Sequence, residues 1–405
     1  MKNKINIISI LLLTLFINSC VEPFEIQTET FESALVIEAT ITNEFKTQEI
    51  VLSRTFTFEE DGPSPETNAT VKIIDDQQVQ YAFQETSPGA YVSTTEFAAQ
   101  PNRSYELSIT TSNGSVYRSF TTATPPATQI EQLSVDRITN DDEVNGVAVF
   151  VDSYDPTGNS KYYRYEYEET FKIIAPRYSE FNIIVTNDEF PDCDVALVEK
   201  PSDLEERTCY RTQISSEIIV TNTNGLSEDR VDDFQVRFIP RSSYIMSHRY
   251  SALVKQYVTS REAYVFYETL RDLSGSGSLF SQSQPGFFSG NVFSEGNPDE
   301  KVLGYFDVAT VSTSRIFFNY DDFYAGQPLP PYIVDCSPIA PPILTNGMGD
   351  ACPLISAIKS GFYKYAGPNN DPDPVLGEGD FDLVIKACGD CTELGSNVVP
   401  DFWEE

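Results

Sequence analysis

Leu35, Ile37, Ala39 and Ile41 alternate with Val36, Glu38 and Thr40. Successive side chains of an extended chain point to opposite faces, so this stretch carries one apolar face and predicts a half-buried strand. The same period of two recurs. Ile50 and Leu52 lead to Thr55 and Phe56, and Asp61-Gly62-Pro63 supplies a turn. Val71 and Ile73 run into Asp75-Asp76, and Val79, Tyr81 and Phe83 follow. Pro88-Gly89 turns the chain into Tyr91 and Val92. Tyr105, Leu107 and Ile109 alternate up to Asn113-Gly114, a hairpin signal ahead of Val116, Tyr117 and Phe120. About seven short strands with turns every 8 to 12 residues or so predict a sandwich. Tyr105, close behind Pro101-Asn102, is either a corner tyrosine tying a loop to the sheet or a plain core aromatic.

Thr124-Pro125-Pro126-Ala127-Thr128 marks a boundary. Beyond it, Val144 to Val151 reads as a strand. Tyr163, Tyr165 and Tyr167 alternate with Arg164, Glu166 and Glu168, which predicts one aromatic and one charged face. Residues 180–211 show little periodicity. Val231 to Phe238 reads as strand, and Tyr244 to Tyr257 is ambiguous between strand and helix. Thr259 with Glu262 is a capping-box signal, and Ala263, Phe266, Tyr267, Leu270 and Leu273 recur at helical spacing up to Gly275. That is the clearest helix, with the plain role of capping the sheet layer. Val302 to Val308 and Ile316-Phe317-Phe318 read as core strands of a closing sheet. The expected fold is mainly β. An immunoglobulin/fibronectin-like or transthyretin-like sandwich spans residues 31–125. A larger β-rich domain spans residues 130–405, with one clear amphipathic helix and disulfide-stapled loops.

The first 20 residues set the compartment. Lys2 and Lys4 precede an apolar run from Ile7 to Ile17, and Cys20 follows Ser19. This is the layout of a signal peptide, and the run is about half the roughly 20 residues that span a bilayer. The site resembles that of lipoprotein signal peptidase, which makes Cys20 the expected lipidated N-terminus, with acyl chains such as palmitate. Two or more chains anchor stably, at about 0.8 kcal/mol per buried CH2. Residues 21–30 form an acidic tether. The formal charge of -34, from 61 acidic and 27 basic residues, opposes binding to nucleic acid or to anionic lipid surfaces.

Once Cys20 carries lipid, six cysteines remain: Cys193, Cys209, Cys336, Cys352, Cys388 and Cys391. An even number outside the cytosol points to disulfides. Cys193 and Cys209 stand alone in mid-chain and are expected to staple one long loop. The other four allow three pairings. Cys388-Gly-Asp-Cys391 has the spacing of a redox motif or half a zinc site, but no second close pair and no nearby His accompany it.

Catalytic signatures are sparse. His248 is the sole His, and Ser247 and Arg249 beside it make no triad pattern. No G-x-S-x-G, H-E-x-x-H, Walker loop or dinucleotide fingerprint occurs. Paired carboxylates of a glycosidase need no motif, so that class stays open. Asp371, Asp373, Glu378 and Asp380 are candidate calcium ligands, although their spacing departs from the helix-loop-helix calcium loop and a solvated loop is the plainer reading. No other cofactor is indicated. Phe287 and Phe288 are adjacent in a Gly/Ser-rich segment and are candidate ligand or partner contacts.

Gly290-Asn291-Val292-Phe293, Asn297-Pro298, Val302-Leu303-Gly304-Tyr305-Phe306 and Arg315-Ile316 together resemble the core of domain-of-unknown-function family 4249. So does the run from Ala263-Tyr264 to Leu270, and the ending Cys388-Gly-Asp-Cys391 with Pro400-Asp401-Phe402-Trp403 is similar to that family's C-terminus. The resemblance covers about residues 31–403. It implies a lipoprotein of Bacteroidota, commonly encoded beside TonB-dependent outer-membrane receptors, and therefore a partner rather than a reaction. The leading expectation is a non-enzymatic accessory lipoprotein of the outer membrane, on the cell surface, that docks on such a transporter and assists ligand capture or uptake. The alternatives are a surface hydrolase using paired carboxylates and a structural subunit of an outer-membrane assembly.

Overall fold

The computed structural model describes residues 33–56, 62–275, 290–345, 351–370 and 378–405. The architecture is largely β-stranded, in several sheets of sandwich type, with few short helices. Cys20, Phe287, Phe288, Asp371 and Asp373 lie outside the described residues.

The first nine strands are β1 (Leu35–Thr42), β2 (Glu49–Arg54), β3 (Ser64–Pro65), β4 (Thr70–Asp75), β5 (Gln80–Ser87), β6 (Ala90–Ser93), β7 (Ser104–Thr110), β8 (Val116–Ser119) and β9 (Thr122–Ala123). Their alternating residues make one core: Leu35, Ile37, Ile41, Ile50, Leu52 and Leu107 are buried in it. Tyr105 is both of the things its position allowed. Its ring is buried, and its hydroxyl accepts the backbone N–H of Gln100 at 2.8 Å.

Nine more strands follow: β10 (Ile130–Thr139), β11 (Asn145–Asp155), β12 (Tyr162–Ile174), β13 (Phe181–Asn187), β14 (Asp194–Glu199), β15 (Thr208–Ile214), β16 (Ile219–Asn222), β17 (Asp229–Pro240) and β18 (Arg249–Val258). Tyr244 to Tyr257, ambiguous in sequence, is a 3-10 turn and then strand. Helix α1 (Arg261–Gly275) comes next, then β19 (Val292–Ser294), β20 (Val302–Asn319), α2 (Tyr320–Tyr324) and α3 (Pro353–Lys359). The chain closes with β21 (Tyr363–Pro368), β22 (Phe381–Ile385) and α4 (Lys386–Gly389). Thr259 is not the cap of α1. Ser260 Oγ accepts the N–H of Ala263 at 3.0 Å, while the Thr259 hydroxyl is committed to Asp307 at 2.7 Å.

β20 is one unbroken strand of 18 residues where separate strands were expected. Its first half runs parallel to β1, from Leu35 opposite Val302 to Thr42 opposite Ala309. Its second half is antiparallel to β18, from Thr310 opposite Val258 to Asn319 opposite Arg249. β19 pairs with β8. Residues 292–309, expected within the second region, therefore supply strands to the first layer. Phe306 and Val308 belong to the first core and Phe318 to the second. Opposite the sheet β15-β12-β18-β20 lies a three-stranded sheet, β10-β11-β17, and the second core is packed between them. The aromatic face of β12 behaves as its alternation predicts: Tyr163, Tyr165 and Tyr167 are buried in that core. A third, small core joins Leu354, Tyr365 and Leu383.

The cysteines do not pair as read from sequence. Cys193 bonds Cys352, Cys209 bonds Cys391 and Cys336 bonds Cys388. Cys193 and Cys209 therefore staple no common loop. Cys193 sits in the connection of the β13–β14 hairpin, which carries it toward α3, while β15 places Cys209 beside the C-terminal segment. Cys388 and Cys391 each bond elsewhere, so the C-x-x-C spacing is neither a redox pair nor half a zinc site. Nearness in sequence misled because sheet topology, not loop length, decides which Cα atoms approach.

Candidate functional site

The odd residues of β12 face the second core, so its even residues share the opposite face. Arg164, Glu166 and Glu168 stand there, with Tyr257, Lys255 and Leu253 of β18 directly across. Two covers lie over this face. The C-terminal segment sets Phe402 against the Arg315 guanidinium, 3.6 Å to the ring centre, and Trp403 against Tyr210 and Phe317. At the other end α1 brings Tyr267 over Arg164.

Arg164 is only 8% exposed. Its guanidinium sits between the rings of Tyr257 and Tyr267, at 4.2 and 4.9 Å from their centres. Such cation–π contacts are strongest where water is excluded. Nη1 donates to Glu166, and Tyr257 donates its hydroxyl to the other Glu166 oxygen at 2.9 Å. Nε has no hydrogen-bond partner among the described residues. Burial opposes the Arg164 charge, but Tyr267, Glu166 and Asp307 around it favour it and hold its pKa up. Burial likewise opposes ionised Glu166, and Arg164 and Tyr257 overcome it, so its pKa is lowered. Asp307 is sealed from solvent, and there burial wins over Arg164 and raises the pKa.

This cluster ends a cavity of about 780 Å3. Its walls are Tyr267 and Leu270 of α1, Val36 and Glu38 on the outer face of β1, and Leu303 and Tyr305 of β20. A second cavity of about 640 Å3 lies on the other side of α1, between Phe120, Val265, Phe266, Asn291 and Tyr305. Both volumes fall in the range of small-ligand sites, roughly 300 to 1,000 Å3. Phe266 lies between them and packs on Tyr305, 5.2 Å between ring centres. Burial raises the Tyr305 hydroxyl to about 12, so it stays a neutral hydrogen-bonding group.

The sequence pointed elsewhere. Of the calcium candidates, Glu378 and Asp380 are described and both are exposed. Among the described residues no group of three or more His, Cys, Asp or Glu could hold a metal ion. His248 lies in the turn before β18; burial, then Lys172, lowers its pKa, with Asp321 opposing, and it is neutral at pH 7. Arg164 was noted only as part of a charged face. A cation set between Tyr163 and Tyr165 was the available signal, and the helix that buries it comes about a hundred residues later.

A family model described as "Domain of unknown function (DUF4249)" matches residues 21–315. No curated protein matches the sequence. Among solved structures, a DUF4785 family protein from Legionella pneumophila subsp. pneumophila str. Philadelphia 1 is similar over 56% of this chain and 51% of its own, about half its length. The identity is 9% and the TM-score 0.15. Among the described residues no helix is long and apolar enough to cross a membrane.

Proposed function

The chain belongs to the DUF4249 family, and on that premise we propose a non-enzymatic accessory lipoprotein that docks on a TonB-dependent outer-membrane transporter and helps capture its ligand. Cys20 is the lipid anchor and residues 21–30 the tether that sets the body at the outer membrane, on the cell surface. The first strands are read as an immunoglobulin/fibronectin-like or transthyretin-like module that holds the second region away from the bilayer. Tethering raises the local concentration of a binding face at the pore without any new contact.

One observation carries the reading. Part of the sequence through which the chain resembles its family lines the two cavities: Phe266, Tyr267 and Leu270 of α1, Gly290 and Asn291, and Leu303 to Tyr305 of β20. A shared sequence core that lines cavities fits a shared binding task. The hydrolase alternative needs two carboxyls in one cleft, one of them held protonated, about 5 to 9.5 Å apart. Asp307 and Asp382 have raised pKa values but line neither cavity, and Glu166, which lines the larger one, is shifted the other way. That alternative gains no support.

Affinity purification of the tagged protein from its own envelope tests the proposal. A TonB-dependent transporter is expected in the complex, with recovery reduced by Phe287→Ala and Phe288→Ala. Mass spectrometry is expected to find an acylated Cys20 as first residue. Purification of the unmodified protein without any transporter overturns the docking role.

A further inference from the structure

We propose that β14 is an acceptor edge for an extended strand of a partner protein, one that carries Lys or Arg among apolar side chains. β13 and β14 pair only with each other among the described residues. No backbone hydrogen bond from Asp194 to Glu199 reaches any other described element. Among the described residues the outer side of β14 is thus a row of N–H and C=O groups with no backbone partner, the template on which strand addition works. Two other edges are covered by the chain itself. Tyr210 of β15 exchanges both backbone bonds with Ser396 at 2.8 Å, and Leu383 of β22 does the same with Ile339.

Natural sheets blunt an open edge with Lys, with Pro or with inward charges. β14 reads DVALVE, with neither Lys nor Pro, and its acids stand only at the two ends. Register places Ile184 opposite Ala196 and Asn182 opposite Val198. These four share the face turned away from the third core, against which Ile183 and Val195 pack. Ile184, Leu197 and Val198 are 44, 42 and 45% exposed. Ile184 and Val198 make the outer face apolar, and Leu197, opposite Ile183, exposes its side chain on the other face of the same edge strand.

The edge is also held still. At one end Cys193 is bonded to Cys352. At the other, Lys200 is buried and pairs with Glu206 at 2.6 Å. A preformed edge spares an incoming strand part of the ordering cost of binding. Asp188, Glu189, Asp192 and Asp194 gather at the hairpin end, with Lys359 paired to Asp188, and Glu199 closes the strand. That charge favours a basic segment. It disfavours a second copy of this chain, because antiparallel pairing of two β14 strands sets Asp194 against Glu199 of the second copy.

The assignment deepens the docking role proposed above and rests on it only for the partner's identity. The test places a photo-crosslinking residue at Leu197 of the full chain in its native envelope, with Phe45, exposed in a separate loop, as control. A discrete adduct is expected at Leu197 alone, and peptide mapping is expected to locate it in an extended, basic segment. That segment, synthesised, should slow exchange of the freely exchanging β14 amides more than tenfold. Val198→Lys should abolish the adduct and leave thermal unfolding unchanged. No adduct above the Phe45 control, an adduct only with lipid or a second copy, or unaltered amide exchange overturns the assignment. A mapped partner other than a TonB-dependent transporter leaves the edge assignment standing and removes the docking role.

Discussion

The side chain of Asn291 closes a paired amide bridge with the main chain of Phe306. Oδ1 accepts the Phe306 N–H at 2.8 Å and Nδ2 donates to the Phe306 carbonyl at 2.8 Å. One side chain thereby completes the edge of β20 where no strand residue reaches. Asn291 is buried, and its own carbonyl accepts the N–H of Phe120 at 2.8 Å.

Replacing it by Leu leaves a buried N–H and a buried C=O without partners. Each such loss costs about 1 to 3 kcal/mol, so Asn291→Leu is expected to lower stability by about 2 to 5 kcal/mol. Urea titration checks this, as a lower midpoint at an unchanged slope.

Gly304 is a different kind of constraint. Its φ is +104°, and a Cβ there would lie 1.9 Å from the Ile37 carbonyl oxygen of the paired strand. Gly114 also has positive φ, at +90°, but faces open space. Gly304→Ala should cost at least about 3 kcal/mol, because strain and collision add. Gly114→Ala should cost about 1 to 2 kcal/mol, from backbone conformation alone. Equal losses in the two variants, read from denaturation midpoints, would contradict the close approach of β20 to β1.

Asp155 sets an acid limit. Burial alone would raise its pKa, but five hydrogen bonds from Thr157, Asn159 and Ser160 override it and lower the pKa to about 2. A carboxyl depressed in the fold stabilises above its unfolded pKa, about 3.9, and loses that contribution as pH falls through the folded value. The shift corresponds to roughly 2 kcal/mol, lost between about pH 4 and pH 2. Stability measured across that window should decline less steeply in Asp155→Asn than in the parent.

Proteolysis under non-reducing conditions should release three linked peptide pairs: Cys193 with Cys352, Cys209 with Cys391 and Cys336 with Cys388. The Cys209–Cys391 bond closes a sequence separation of 182 residues. Removing it by Cys209→Ala with Cys391→Ala should cost about 2 to 5 kcal/mol. A Cys193–Cys209 peptide would overturn the connectivity.

Local pattern carried the strands because their period is short. Leu35 to Ile41, Tyr105 to Ile109 and Tyr163 to Tyr167 each show their buried face within a few residues. What alternation cannot carry is which strands meet. β1 finds β20 across more than 250 residues of chain, and nothing near Leu35 announces a parallel partner. The same distance hid the disulfides and the cavity, since Arg164, Tyr257, Tyr267 and Asp307 come together only once β12, β18, α1 and β20 have assembled. The cap of α1 failed for a subtler reason. Thr259 has the right chemistry, and a distant carboxylate, Asp307, claims its hydroxyl.

The pairing of β1 along β20 also bears on how the molecule carries load. A pull at the N-terminal end, directed along the strand, strains the β1–β20 hydrogen bonds together instead of opening them one by one. The force passes through a single continuous backbone into the sheet around Phe318. Both cores then resist in concert.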